Sequence, residues 1–223
     1  MAPNKQREWH PAFEEYCEAI FELREDDVDV IQARIADRLE VSRPAVSEMI
    51  RRMERTELVE IDGGVIRLLP DGLALAETVV RRHRLAERFL TDMLGLSWAE
   101  AHDEAGRWEH VISPTVEVAM MRALGDPTTC PHGNPIPGTA YEPPTSVTLD
   151  TLSVGQSFTV SRIPEELEFT PGLLEFLETS ALLPGRSGVV TECADDGITI
   201  VEIDGRAVTI DRFATERILV TAA

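Results

Sequence analysis

Residues 30–58, VIQARIADRLEVSRPAVSEMIRRMERTEL, decide the reading of the fold. A short helix runs through Leu39, a turn covers residues 40–43, and a second helix carries Val46, Met49, Ile50 and Met53 along one side. Ser42 is a suitable N-cap, and Pro44 falls in the first helical turn, where proline is tolerated. Upstream, AFEEYCEAIFELRE (12–25) sets Phe13, Tyr16, Cys17, Ile20, Phe21 and Leu23 near one side and acids on the other, an amphipathic helix. Downstream, the apolar runs LVEI and VIRLL flank Asp62-Gly63-Gly64 and read as a β-hairpin with a tight turn. Two helices joined by a short turn and followed by a hairpin make a winged helix-turn-helix.

Beyond it, Asp71 is expected to cap a long helix, LALAETVVRRHRLAERFLTDML, that opens a helical unit reaching about Leu124. Residues 126–146 hold six of the 14 prolines and read as an extended linker. Short alternating strands, QSFTVSRI, GVVTEC, ITIVEI, AVTI and RILV, then indicate a small β-rich domain with one helical stretch, GLLEFLETSAL. The fold class is therefore mainly α with a β-rich C-terminal domain. The expected divisions are 1–75 for the winged helix, 76–138 for the helical domain, 139–146 for the proline-rich linker and 147–223 for the β domain.

The chain of 223 residues carries 40 acidic against 21 basic side chains, a formal charge of -19, which argues against nucleic acid as a partner until the charge is read locally. Residues 32–55 hold Arg34, Arg38, Arg43, Arg51, Arg52 and Arg55 against four acids, a local +2 on the helix-turn-helix. The candidate DNA-contacting set is Arg34, Ser42, Arg43, Pro44, Ala45, Ser47, Glu48, Arg52 and Arg55. A winged helix that packs against protein, with solvated arginines, is the competing reading. Lys5 is the one lysine among the 21 basic residues, a pattern like that of halophile proteins, with arginine bias in a GC-rich genome as the alternative.

Cys17, Cys130 and Cys193 lack C-x-x-C spacing, so no disulfide framework or thiolate zinc site is expected. MAPNKQREWH has no apolar signal core and no long uncharged apolar run follows, so a cytoplasmic protein without membrane contact is expected. Carboxylates and imidazoles recur at helical spacing: Glu15 with Glu18, His83 with Glu87, and His102 with Glu109 and His110. Oxygen and nitrogen donors without sulfur suit Mn²⁺ or Fe²⁺, and salt-bridged or solvated helix positions are the alternative for each. Cys130-Pro131-His132 is a weaker metal hint, with loop chemistry as the preferred reading. No H-E-x-x-H supports a hydrolase.

ARIADRLEVSRPAVSEMIRRMER, RRHRLAERFLTDMLGL, HDEAGRWEHVIS and GNPIPG, in that order, resemble the metal-dependent repressors of the diphtheria toxin repressor and manganese transport regulator family. With the lysine-poor acidic composition, the resemblance points to a haloarchaeal member. It implies an SH3-like small β-barrel at the C-terminus and a helical dimerisation domain. It further implies a homodimer that binds a palindromic double-stranded DNA operator when loaded with Fe²⁺ or Mn²⁺, repressing metal-uptake genes, with no catalysis and no small organic substrate. By resemblance Glu109, His110 and Glu15 are ligands of a principal site, and Glu18 and His83 belong to a manganese-type pair of sites. His83, Glu87 and His102 match an ancillary site, with Glu168 as its candidate from the C-terminal domain. Gly106 stands where the family places cysteine or glutamate, leaving only its carbonyl, and Glu48 stands where iron-type members place a base-reading glutamine.

Three competing readings remain at this point. A metal-independent winged-helix regulator would sense an organic ligand. A metalloenzyme built on His102, Glu109 and His110 would need a nucleophile motif that the chain does not show. An interaction protein would use its β domain to grip a proline-rich strand such as Glu142-Pro143-Pro144.

Overall fold

The computed structural model describes residues 11–194 and 196–222; the N-terminal MAPNKQREWH stretch, with Lys5, lies outside them. The chain divides into two compact units, residues 1–80 and 81–223.

In the first unit α1 (Pro11–Glu25) buries Phe13, Tyr16, Cys17, Ile20 and Leu23. It is followed by α2 (Gln32–Arg38) and α3 (Arg43–Arg55). The turn between them needs Glu40 in the left-handed region, at φ 52°. Ser42 then caps α3 by accepting from the Ala45 N–H at 3.3 Å. Val46, Ile50 and Met53 are fully buried against α1 residues and Ile35, so the apolar stripe read from the sequence is the packed face. A buried pair, Arg38 to Glu22 at 2.6 Å, ties α2 to α1. The hairpin β1 (Val59–Asp62) and β2 (Val65–Leu68) pairs Asp62 with Val65. That leaves Gly63 and Gly64 alone in the turn at φ 59° and 92°, the positive-φ pair a two-residue hairpin requires.

The long helix α4 (Pro70–Leu94) starts in the first unit and continues into the second. Asp71 lies within its first turn rather than at its cap, because Pro70 already takes the first helical position. Gly72 is required there: a Cβ would stand 2.1 Å from the Leu58 carbonyl oxygen.

The second unit contains the rest of α4, then α5 (Trp98–Trp108), opened by a capping box between Ser97 and Glu100, and α6 (Pro114–Ala123), capped by Ser113. The helical unit expected to reach about Leu124 is thus three helices ending at Ala123, with breaks at residues 95–97 and 109–113. Leu85, Leu90, Ala101, Ala105, Ile112 and Met120 form their shared core. The β part comprises β3 (Val147–Thr148), β4 (Ser157–Arg162), β5 (Ser187–Cys193), β6 (Thr199–Ile203), β7 (Arg206–Ile210) and β8 (Leu219–Ala222). They form one antiparallel sheet in the order β3-β8-β4-β5-β6-β7. Between β4 and β5 lie α7 (Glu165–Glu168) and α8 (Leu173–Thr179), and α9 (Arg212–Thr215) precedes β8. Trp98 of α5 is packed in the same buried cluster as Phe158, Leu167, Leu177 and Val201, so the β part and the helices share a core.

The proline-rich segment departs from the linker reading. Residues 130–134 and Ile136 are buried, and residues 139–146 are largely exposed and lack regular structure. The buried portion is held by a bridge of Thr129 with Pro135, a Cys130 N–H bond to the Asn134 carbonyl at 2.9 Å, and an Ile163 N–H bond to the His132 carbonyl at 2.8 Å. Proline composition signals an extended backbone, and here that backbone is used as a packed loop rather than as a spacer.

Candidate metal centre

Four pieces of chain converge in the second unit. On α4, His83 and Glu87 stand one turn apart, with His83 Nε2 3.3 Å from Glu87 Oε1. On α5, His102 places Nδ1 3.0 Å from the same oxygen and 3.3 Å from Glu168 Oε2 of α7. The buried loop contributes His132, whose Nδ1 lies 2.8 Å from Glu168 Oε2 and 3.6 Å from Glu87 Oε1. Cys130 Sγ is 3.8 Å from that ring. His83 Nδ1 contacts Glu109 Oε2 at 2.5 Å, and His110 Nε2 lies 3.2 Å from Glu109 Oε1. Glu87 thus faces three imidazoles while wholly buried.

The local folding that makes this possible is specific. Gly133 adopts φ 88°, and a Cβ there would lie 2.4 Å from the Ser161 carbonyl oxygen, so the loop can approach β4 closely only with glycine. Asn134 bridges the parts: its amide donates to the Ile163 carbonyl at 2.9 Å and to Glu168 Oε1 at 2.7 Å, and its carbonyl oxygen accepts from Arg162 at 2.5 Å. Arg84, fully buried on α4, donates to Glu165 Oε1 at 2.9 and 3.1 Å and to the Pro135 carbonyl at 2.6 Å. Arg84 and Glu87 on one helix therefore meet Glu165 and Glu168 on another, each pair three residues apart.

The electrostatics are those of a proton-loaded cavity. Burial alone would push the three imidazoles down, but the carboxylates outweigh it. Glu87 and Glu109 hold His83 well above the usual range, Glu168 and Glu87 raise His102 to about 10, and the same two acids hold His132 well up. Burial would raise the acids, yet the charges of His132 and His83 hold Glu87 well below the usual carboxylate range, and His132 depresses Glu168. Burial pushes the Cys130 thiol up to about 11. Three imidazoles held toward the protonated form thus face the depressed carboxyls of Glu87 and Glu168.

The donor set fits a divalent cation. Wholly within the second unit, two groups of donor atoms lie close enough to share one ion: His83, Glu87 and His102, and Glu87, Cys130 and His132. Glu87 Oε2 and His132 Nε2, both buried, have no hydrogen-bond partner among the described residues, the unmet valence that a cation would satisfy. Carboxylate and imidazole donors suit Mn²⁺ or Fe²⁺, and a thiolate would add a softer donor.

Of the residues singled out in the sequence, the structure brings together His83, Glu87, His102, Glu109, His110 and Glu168. In the i, i+7, i+8 set α5 ends at Trp108, yet His102 and Glu109 both reach His83, at 3.4 and 2.5 Å, and His102 also meets Glu87 and Glu168. Gly106 is exposed on α5, with nothing within 4 Å of where a side chain would begin. Glu15 is exposed and Glu18 half-buried on α1. In the helix-turn-helix, Arg34, Ser42, Arg43, Pro44, Ala45, Glu48, Arg52 and Arg55 are exposed and Ser47 is half-buried. The Arg52 guanidinium lies 5.4 Å from the centre of the Phe13 ring. Sequence reasoning weighed Cys130 and His132 as a weak metal hint and set them aside as loop chemistry, and it missed Asn134, Arg84 and Glu165. The available signal was two donors at i and i+2 followed by a glycine, a tight turn that can aim both the same way.

Comparison with known proteins agrees along the chain. The family model described as "Iron dependent repressor, N-terminal DNA binding domain" matches residues 10–64. The one described as "Iron dependent repressor, metal binding and dimerisation domain" matches residues 69–138. The iron-dependent repressor IdeR of Mycobacterium tuberculosis is 40% identical over 200 residues, 84% of this chain and 87% of the relative. The diphtheria toxin repressor of Corynebacterium diphtheriae is 47% identical over 145 residues, covering 65% of this chain and 60% of the relative. Among solved structures, a manganese-dependent transcriptional repressor in complex with manganese matches with TM-score 0.84 and 31% identity, over 95% of this chain and all of that one. With two consecutive domains matched and 40% identity across most of a mycobacterial repressor, the chain belongs to the iron-dependent repressor family, which includes the diphtheria toxin repressor.

Proposed function

We propose that this protein is a divalent-metal-dependent transcriptional repressor that binds operator DNA as a homodimer. Fe²⁺ or Mn²⁺ is its effector, and metal-uptake genes are its targets. The observation that carries the reading is the buried cluster of Glu87, His102, His132 and Glu168 in a chain whose N-terminal unit is a winged helix-turn-helix. Relatives named as iron- and manganese-dependent repressors support it. Val111, Val116 and Val118, exposed within or just before α6, lie in the segment matched to a dimerisation domain and supply an apolar face for a second copy. No helix among the described residues is long and apolar enough to cross a membrane, and a cytoplasmic setting suits a DNA-binding protein.

A bound cation would supply two positive charges among the carboxylates of the centre, held by Glu87 with His83 and His102, or by Glu87 with Cys130, His132 and Glu168. Glu109 and His110 enter the same reading as further donors, and for Glu15 and Glu18 of α1 a ligand role is what the family resemblance implies. Arg84 and Asn134 position the α7 carboxylate by holding Glu165 and Glu168. By linkage, if the loaded dimer binds DNA more tightly, operator DNA must tighten metal binding by the same factor.

The test is operator-binding anisotropy across Mn²⁺ and Fe²⁺ titrations. Wild type should bind only when loaded and be released by chelator. Glu109→Ala and His110→Ala should lose the metal response while keeping wild-type circular dichroism. Binding indifferent to chelator would favour the metal-independent regulator instead.

A further inference from the structure

The donors of the proposed centre are buried, so an incoming cation needs a route. One cleft of about 310 Å³ in the second unit leads to them. His102 and Glu168 line it at one side, and Asp103, Phe169, Leu174 and Glu175 complete its walls. Phe169 is 48% exposed and stands edge-on to the His102 ring at 5.1 Å, so it sits between solvent and an inner donor. Asp103 follows His102 on α5, and Glu175 lies on α8 across the cleft; both are exposed. Among the described residues neither carboxylate has an ion pair, whereas the acids nearby, Glu166 with Arg217 and Glu165 with Arg84, are paired.

The size is informative. A six-coordinate cation with its water shell occupies roughly 180 Å³ at about 30 Å³ per water. It fits the cleft with its shell intact, but reaching Glu168 and His102 requires exchange of waters for protein donors. Two unpaired carboxylates at the entrance, one hydrophobic ring beside an inner imidazole and a buried carboxylate behind form a graded path from hydrated to ligated ion. No basic side chain other than His102 lines the cleft to oppose a cation.

We propose that this cleft is the loading port of the metal centre, in which Asp103 and Glu175 capture a hydrated divalent cation and Phe169 controls its passage to His102 and Glu168. This rests on the reading of the buried cluster as a metal centre. Capture residues change rates more than equilibrium. They raise local cation concentration, so their removal slows loading and unloading together, leaving the number of ions bound unchanged.

The experiment mixes full-length protein with Mn²⁺ in a stopped-flow instrument. The reporter is tryptophan emission, Trp98 lying 4.4 Å from the His132 ring, and ions bound are counted from the electron paramagnetic resonance of free Mn²⁺. The double variant Asp103→Asn/Glu175→Gln should load about tenfold more slowly at low ionic strength. Its deficit should close near 1 M salt, where the screening length is about 3 Å. Its ion count should match wild type. Phe169→Ala should speed both loading and release several-fold. Loading of the double variant at the wild-type rate, with the count intact, overturns the port alone. Wild type that takes up no Mn²⁺, or Glu87→Gln that takes up as much as wild type, overturns the centre and the port with it.

Discussion

Metal binding should expel two protons per cation, and the number follows from the charge balance of the cavity. Without metal, the imidazoles of His83, His102 and His132 are held toward the protonated form against the depressed carboxyls of Glu87 and Glu168, which sets the charge of the buried cluster. A divalent ion entering a low-dielectric site favours leaving that balance unchanged, which requires two protons to depart. Both donor groups give the same count. Ligation by His83 and His102 frees one proton from each imidazole. Ligation by Cys130 and His132 frees the thiol proton and one imidazolium proton.

Because His102 titrates at about 10 and Cys130 at about 11 in the metal-free protein, the protons are still present at neutral pH and must be displaced. The apparent affinity for Mn²⁺ should therefore climb about 100-fold per pH unit between roughly pH 6.5 and 8, or about 2.7 kcal/mol per unit. Titration calorimetry in buffers of different ionisation enthalpy reads the proton count directly from the dependence of the observed heat on the buffer. Cys130→Ser separates the two donor groups: the count drops to about one if the thiolate is a ligand and stays at two if His83 and His102 hold the ion. A release of less than one proton at pH 7 would refute the reasoning, since the imidazoles would then be neutral before metal arrives.

Three further outcomes follow from particular contacts. Arg84→Met strips two hydrogen bonds from buried Glu165 and should destabilise the second unit by about 3–5 kcal/mol, while Arg84→Met/Glu165→Met should recover most of that loss in urea unfolding followed by Trp98 emission; a double variant no more stable than the single one counts against the pair. The metal-free second unit should be most stable near pH 5–6.5: the raised His102 adds stability that is complete below about 6.5 and lost on the way to about 10, the depressed Glu87 and Glu168 add stability lost below about 4.5, and thermal melts at stepped pH with and without Mn²⁺ should show metal reversing the alkaline loss. Glu48→Gln should tighten operator binding and shift the preferred base at the facing pair toward adenine by about 5- to 100-fold, measured on a panel of single-base operator variants; an unchanged preference would remove Glu48 from the base-reading surface.

The helix-turn-helix was legible because its determinants are local. The Ser42 cap, Pro44 in the first turn, the buried stripe of Val46, Ile50 and Met53, and the Gly63-Gly64 turn each follow from residues within a few positions. His83 with Glu87 was legible for the same reason, being one helical turn apart. What composition concealed was tertiary. Prolines at 131 and 135 predict an extended path, but whether that path is solvated or packed depends on β4 and Ile163, far along the chain. His132 therefore gave only a weak metal hint inside an expected spacer, although it lies beside Glu87 and Glu168. The short α7 escaped for a related reason: EELE has no apolar period to announce a helix, and its two buried acids, Glu165 and Glu168, are tolerated only because Arg84, Asn134, His102 and His132 meet them.

The acidity of the chain bears on how such a protein can hold DNA at all. The local +2 over residues 32–55 shrinks once the structure is considered, because Arg38 is buried against Glu22 and faces no ligand. Five exposed arginines remain against Asp37, Glu40, Glu48 and Glu54, also exposed, a surplus of one. So small an excess in a molecule of charge -19 gives little counterion-release affinity for non-specific duplex. What remains is short-range: the exposed N-terminus of α3, where Ser42, Arg43 and Ala45 are small or cationic side chains open to a phosphate near the positive end of the helix, and side chains that read base edges. A regulator built this way discriminates by fit more than by attraction. It therefore depends on its two reading heads being held at the correct spacing, and in the proposed mechanism that places the burden of affinity on metal-dependent ordering of the dimer rather than on the charge of the surface that touches DNA.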